Sequence, residues 1–112
     1  MKPGRQLCRV EELAETGARG VDLEDSEGRL LPLVIVRGDD GLRCYVNVCP
    51  HQGTPLETFP DRFLDQHGRH LVCSTHGARF RVGDGVCVVG PCKGARLIAF
   101  PVRCEGGSVV SA

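Results

Sequence analysis

Two short segments constrain this chain more than anything else in it. They are Cys49-Pro50-His51-Gln52-Gly53 and Cys73-Ser74-Thr75-His76-Gly77. Each places one cysteine and one histidine within a few residues and runs into glycine. Twenty-one residues separate His51 from Cys73. Either segment alone is a weak signal. As a pair they require a fold that sets two loop tips side by side, giving a site of two sulfurs and two ring nitrogens from Cys49, His51, Cys73 and His76. Such a donor set suits zinc or an iron–sulfur cluster of mixed ligation. Structural zinc sites with these ligands usually pair cysteine with cysteine and histidine with histidine. Here each loop is mixed, with C-x-H in the first and C-x2-H in the second.

The rest of the chain supplies strands to carry those tips. Gln6 to Val10 reads as a first strand, and Glu11 to Gly17 as one helical turn closed by glycine. Gly20 to Asp25 alternates as a half-buried strand does. Leu30 to Arg37 is an apolar, partly β-branched run that suits a core strand. Gly38-Asp39-Asp40-Gly41 turns it into Leu42 to Val48. Further hairpins are expected from Arg62–Leu64 into Arg69–Val72, from Phe80–Val82 into Val86–Val89, and from Leu97–Arg103 into Ser108–Val110. With 15 glycines and 7 prolines in 112 residues, turns and short strands are favoured over long helices. The expected fold is an all-β antiparallel sandwich or barrel, in one domain over residues 1–112.

Composition narrows the function classes. Hydrophobic residues make up 41% and charged residues 25%, an ordinary globular balance. The 14 basic and 14 acidic residues cancel, so the basic excess of a nucleic-acid binder is missing. The start of the chain has no apolar run behind its charges, and Leu30 to Val36 is too short to span a bilayer. A cytoplasmic location and no membrane partner are expected. The seven cysteines, an odd number, fit reduced thiols better than a disulfide framework. Cys8, Cys44, Cys87 and Cys104 read as small buried hydrophobes. Cys92 lies in a glycine- and proline-bracketed loop, and its exposure is open. Cys87 and Cys92 could pair on oxidation, which a reducing compartment disfavours. His67 and His70 read as surface residues of a hairpin. The spacing His67, His70, Cys73, His76 does not make a zinc array, because residues three apart on a strand face opposite ways.

The paired Cys/His loops, the glycine after each histidine, and Gly90-Pro91 together resemble the Rieske [2Fe–2S] domain over nearly the whole chain. The resemblance implies one [2Fe–2S] cluster in a cluster-binding subdomain formed by two hairpin-tip loops, covering about residues 46–92. It implies Cys49 and Cys73 as thiolate ligands of the inner iron. His51 and His76 would be imidazole ligands of the outer iron, nearest to solvent. Gly90-Pro91 matches the proline loop that the family folds over its cluster. Two neutral imidazoles in place of two thiolates remove negative charge and raise the reduction potential.

Departures from the respiratory branch of that family are equally informative. Thr54 and Thr75 stand where that branch carries two further cysteines joined in a disulfide. Ala78 and Phe80 stand where it carries hydroxyl groups near the cluster sulfurs. No membrane anchor is expected either. These differences resemble the ferredoxins that feed ring-hydroxylating oxygenases. The resemblance therefore implies a one-electron carrier, not itself an enzyme and expected to be a monomer. It would take electrons from a reductase and deliver them to a terminal oxygenase or similar enzyme. Docking is expected at the His51/His76 tip, on an apolar, partly exposed surface built from Pro50, Pro55, Leu56 and Pro91. Two other classes compete: a small Rieske-like subunit of an assimilatory nitrite reductase, and a structural zinc or redox-sensing module.

Overall fold

The computed structural model describes residues 4–13, 17–25, 27–38, 41–50, 56, 63–65, 70–73, 77–90 and 92–112. The described residues form nine strands: β1 (Gln6–Arg9), β2 (Ala18–Glu24), β3 (Leu30–Gly38), β4 (Gly41–Val46), β5 (His70–Cys73), β6 (Ala78–Arg81), β7 (Cys87–Val89), β8 (Val102–Glu105) and β9 (Ser108–Ser111). One 3-10 turn, Val10–Leu13, follows β1. It is closed by the bond from Gly17 N to the Leu13 carbonyl, 2.8 Å, with Gly17 at φ +76°. The strands make three antiparallel sheets, in the orders β1-β9-β8, β2-β3-β4 and β5-β6-β7.

The apolar run of β3 explains how the sheets stack. Leu33, Val34, Ile35 and Val36 are all buried. A strand points successive side chains to opposite faces, so a continuous apolar run needs cover on both sides. Leu33 and Ile35 join a core with Leu7, Cys8, Leu13, Leu23, Cys44 and Val109. Val34 and Val36 join a second core with Tyr45, Leu71, Cys73, Phe80 and Leu97. Neighbouring strands split by the same alternation, Cys44 to the first core and Tyr45 to the second. The β2-β3-β4 sheet is thus a shared wall between two cores, one closed by β1-β9-β8 and the other by β5-β6-β7. Pro32 lies on β3 opposite Asp22 of β2, beyond the last β3–β4 pair, Leu33 with Val46. Its missing N–H therefore costs no bond to β4.

The second core is fastened to the wall by polar contacts as well. The Tyr45 hydroxyl donates to the Val82 carbonyl at 2.5 Å. Arg43 Nε donates to the Gly83 carbonyl at 3.2 Å. Gly85, at φ +73°, sits against the Tyr45 ring, where an added Cβ would come within 2.9 Å of Cε1.

Three expectations need correction. The run Leu97–Arg103 is not one strand. Arg96 and Ala99 make isolated bridges to Val86 and Tyr45, and the strand begins only at Val102. Pro101 carries no N–H for a ladder, and here the chain passes from the wall to the outer sheet. Of Arg62–Leu64, the described Phe63 and Leu64 form no strand: Leu64 makes a single bridge to Leu71. Cys104 is exposed, not buried. It lies on the edge strand β8 and opens into a groove lined by Arg37, Leu42, Val102 and Arg103. The other three cysteines read as packing residues, Cys8, Cys44 and Cys87, are buried.

Candidate metal centre

Cys49 follows β4 by three residues, and Cys73 is the last residue of β5. Both are at most 1% exposed and belong to the same core. The described residues thus place the two predicted sulfur ligands, which come from separate parts of the chain, in one core. His51 and His76 lie outside the described residues, as do Thr54, Pro55, Thr75, Pro91 and His67. Among the described residues, no three His, Cys, Asp or Glu side chains group to hold a metal ion.

Local structure explains why the chain turns at these two points. After β4, Asn47 N bonds back to the Pro32 carbonyl at 2.9 Å. Its side-chain Oδ1 accepts from Leu56 N, also at 2.9 Å, inside the core. Asn47 thus joins the two ends of the segment that carries Cys49 and His51. Sequence reasoning missed this residue. Its signal was a carboxamide placed between an apolar strand and a ligand loop, where buried backbone groups need a partner. At the second tip, Cys73 pairs with Ala78 across the β5–β6 hairpin. The turn is closed by Gly77 N on the Cys73 carbonyl at 2.8 Å, with Gly77 at φ +70°.

A third segment completes this end of the molecule. Gly90, at φ +108°, lies directly on Ala78: an added Cβ would stand 2.8 Å from the Ala78 Cα. The segment after β7 therefore packs against the residue that follows the second ligand loop. Beyond it, Cys92 is buried with its Sγ 3.1 Å from Cys87 Sγ. Burial pushes the Cys92 thiol up to about 12, helped by its hydrogen bond with Cys87 and by the nearby Cys87 and Cys49 sulfurs.

The donor chemistry fits an iron–sulfur group. Two buried thiolates would be costly alone, since a buried anion needs a compensating charge. Iron would supply that charge, with Cys49 and Cys73 as the buried sulfurs that would hold it. The surroundings offer no hydroxyl at two positions of interest: Ala78 and Phe80 are both buried in the same core.

One further predicted residue is placed differently. Leu56 is 0% exposed, so it is not part of an apolar docking surface. Its N–H is drawn inward by Asn47, and its side chain packs into the second core. Exposed apolar residues beside the site are instead Val48 and Val89, together with exposed Pro50. His70 is about a third exposed and lies beside Asp65, Nδ1 to Oδ2 3.3 Å, in keeping with a surface role. No helix of the described residues is long and apolar enough to cross a membrane.

Known proteins of the same shape are plentiful. A ferredoxin of carbazole 1,9a-dioxygenase from Nocardioides aromaticivorans IC177 superposes with a TM-score of 0.74 at 20% identity, over 100% of this chain and 98% of that one. A Sphingomonas yanoikuyae B1 ferredoxin gives 0.69 at 23% identity, covering 96% of each chain. A chain in the complex of reduced oxygenase and oxidized ferredoxin of carbazole 1,9a-dioxygenase gives 0.72 at 26% identity, over 96% of this chain and 90% of that one. No curated protein sequence matches. The sequence profile of the Rieske [2Fe–2S] domain matches residues 5–104, nearly the whole length. The chain belongs to the Rieske [2Fe–2S] domain family, and its cofactor is one [2Fe–2S] cluster.

Proposed function

We propose that this protein is a one-electron carrier, a Rieske-type ferredoxin that takes electrons from a reductase and passes them to a terminal oxygenase. The observation that carries the reading is the likeness, over almost the full length of both chains, to structures from the carbazole 1,9a-dioxygenase system, its ferredoxin among them. When bound, a [2Fe–2S] cluster accepts and releases one electron. Cys49 and Cys73 hold the inner iron as thiolates, and His51 and His76 the outer iron through ring nitrogens. Residues 46–92 form the cluster-binding part of one domain spanning residues 1–112. The burial of both cysteines supports placing the thiolate side inward. The histidine side is then the docking tip, with Pro50, Val48 and Val89 as its apolar rim. Electron carriers dock through small, transient interfaces, and such a rim suits one. The carrier works as a cytoplasmic monomer.

The protein should be red-brown, with about two irons and two acid-labile sulfides per chain. Mixed with a reductase and a terminal oxygenase of the aromatic-ring type, it should restore product formation in proportion to its concentration. A colourless zinc protein, or one that carries no electrons to any such oxygenase, would overturn the reading. The potential gives a second check. Ala78 and Phe80 have no hydroxyl to stabilise the added electron, so a value near the low end of the Rieske range, about −150 mV, is expected by voltammetry. A value above about +100 mV would return the chain to the respiratory side of the family.

A further inference from the structure

The close contact of Cys87 and Cys92 is built by the backbone. A turn brings Lys93 N to the Gly90 carbonyl at 3.2 Å, and a second brings Ala95 N to the Cys92 carbonyl at 2.9 Å. The returning chain then pairs with Cys87 on both sides. Cys87 N donates to the Ala95 carbonyl at 2.8 Å, and Gly94 N to the Cys87 carbonyl at 3.0 Å. The thiols form a short relay inside this frame. Cys92 Sγ donates to Cys87 Sγ at 3.1 Å, and Cys87 Sγ donates to the Val89 carbonyl at 3.2 Å. A disulfide needs a sulfur–sulfur distance of about 2.05 Å. The remaining gap is about 1 Å.

We infer that Cys87 and Cys92 form a reversible dithiol–disulfide site that peroxide closes. Cys92, 9% exposed, meets the oxidant, and Cys87, 1% exposed, resolves. In the first step Cys92 gives up its proton, a slow event for a thiol that burial holds at about 12. Its sulfur attacks one peroxide oxygen, and the proton goes to the departing hydroxide. The O–O bond breaks, water leaves, and Cys92 becomes a sulfenic acid. In the second step the Cys87 sulfur attacks the Cys92 sulfur. The S–S bond forms, the S–O bond breaks, and a second water leaves. Two thiols and one hydrogen peroxide thus give one disulfide and two waters. The two sulfurs lose two electrons and the peroxide gains them. A small dithiol reverses the change by exchange. Closure ties together the ends of the segment 88–91, which includes the Gly90 that packs on Ala78.

The test uses the cluster-loaded protein and graded hydrogen peroxide. After alkylation and trypsin, both cysteines fall in one peptide, Val82–Lys93, which contains no other cysteine. It contains none of the four proposed cluster ligands either, so its outcome is independent of that assignment. The peptide should lose the mass of two hydrogens before the peptides of Cys8 and Cys44 change. It should regain that mass with dithiothreitol. In Cys87→Ser, Cys92 should stop at sulfenic acid, captured by a cyclic diketone. A pair that stays fully alkylatable while Cys8 and Cys44 are oxidised would overturn the inference. So would direct conversion of both sulfurs to sulfonic acid.

Discussion

Cys44 and Cys73 are both buried and both lie in strands, yet their surroundings assign them different work. Cys44 lies inside β4, facing the core closed by β1, β8 and β9. Burial holds its thiol at about 12, with Cys8 nearby adding to the shift, and it packs as a small neutral hydrophobe within the sheet. Cys73 ends β5 and faces the other core, which also holds Cys49, Cys87 and Cys92. In that core every cysteine stands at a strand end, in a turn or in a connection after a strand. In the first core both cysteines stand within strands. A thiol in the middle of a strand is fixed by the ladder on either side and can only pack. A thiol at a strand end can be aimed by a loop toward something else.

The largest effect that sharpens this contrast is loss of the cluster. Cys73→Ser or His51→Ala should reduce bound iron to background and weaken the fold, since the cluster ties two loops together. Cys44→Ser should keep full iron while costing about 1–3 kcal/mol of stability, because the buried hydroxyl needs a partner that a thiol does not. Iron content and denaturant unfolding separate the two outcomes. Full iron in His51→Ala would break the ligand assignment.

Two glycines with positive φ give the next contrast. Gly90→Ala combines left-handed strain with a collision against the Ala78 backbone. It should cost more than the 1–3 kcal/mol or so of strain alone and should speed iron release. Gly107→Ala, in the β8–β9 turn, meets only the flexible end of Arg9, the nearest atom 3.2 Å away. It should show the strain alone, with iron release unchanged. Thermal unfolding and the rate of iron transfer to a chelator measure both. Equal iron-release rates would mean that the segment at Gly90 does not support the site.

Docking should distinguish the two ends of the wall. Val89→Asp, on the half-exposed residue beside Gly90, should slow electron delivery to the oxygenase by roughly tenfold, equivalent to about 1.4 kcal/mol of encounter affinity. The visible spectrum should not change. The same charge at Cys104, beside the β3–β4 turn, should leave delivery unaffected. Equal slowing by both variants would show that the partner docks away from the tip.

The strands and the site were legible to different depths. β3 was legible because four consecutive apolar residues admit little except a strand covered on both faces. The family was legible from the paired Cys/His loops, because ligand chemistry dictates residue type, whatever the backbone does around it. Leu56 was not legible. Its burial follows from a bond between its N–H and the side chain of Asn47, nine positions earlier, which no periodicity signals. Cys104 was not legible either. Whether a residue on β8 is covered depends on which strand forms the sheet edge, and that is set by the pairing of β9 with both β1 and β8. The Cys87–Cys92 contact was visible in sequence as a spacing. It took the two turns between Gly90 and Ala95 to bring the sulfurs together.

The smallest expected effect compares two turn aspartates, one at the end of β2 in the wall and one in the sheet packed against it. Asp25 follows β2, and its carboxyl is lowered first by the backbone N–H of Arg29, 2.9 Å away, and also by that of Glu27. Asp84 lies between β6 and β7, and its carboxyl is lowered first by the Arg81 side chain, at 2.6 and 3.1 Å, then by Val86 N. Both folded values lie below the unfolded one. Each carboxylate therefore contributes stability that is complete above the ordinary carboxylate range, near pH 4, and is lost as pH falls through the folded value. Asp25→Asn and Asp84→Asn should each lower the unfolding temperature slightly at pH 7 and approach the wild type in acid. Salt should separate them. The Arg81–Asp84 pair is exposed and is screened by ions, whereas the contacts to Asp25 are led by fixed backbone donors. Added salt should shrink the Asp84→Asn effect more than the Asp25→Asn effect. Equal shrinkage would show that both carboxylates act through their arginine partners.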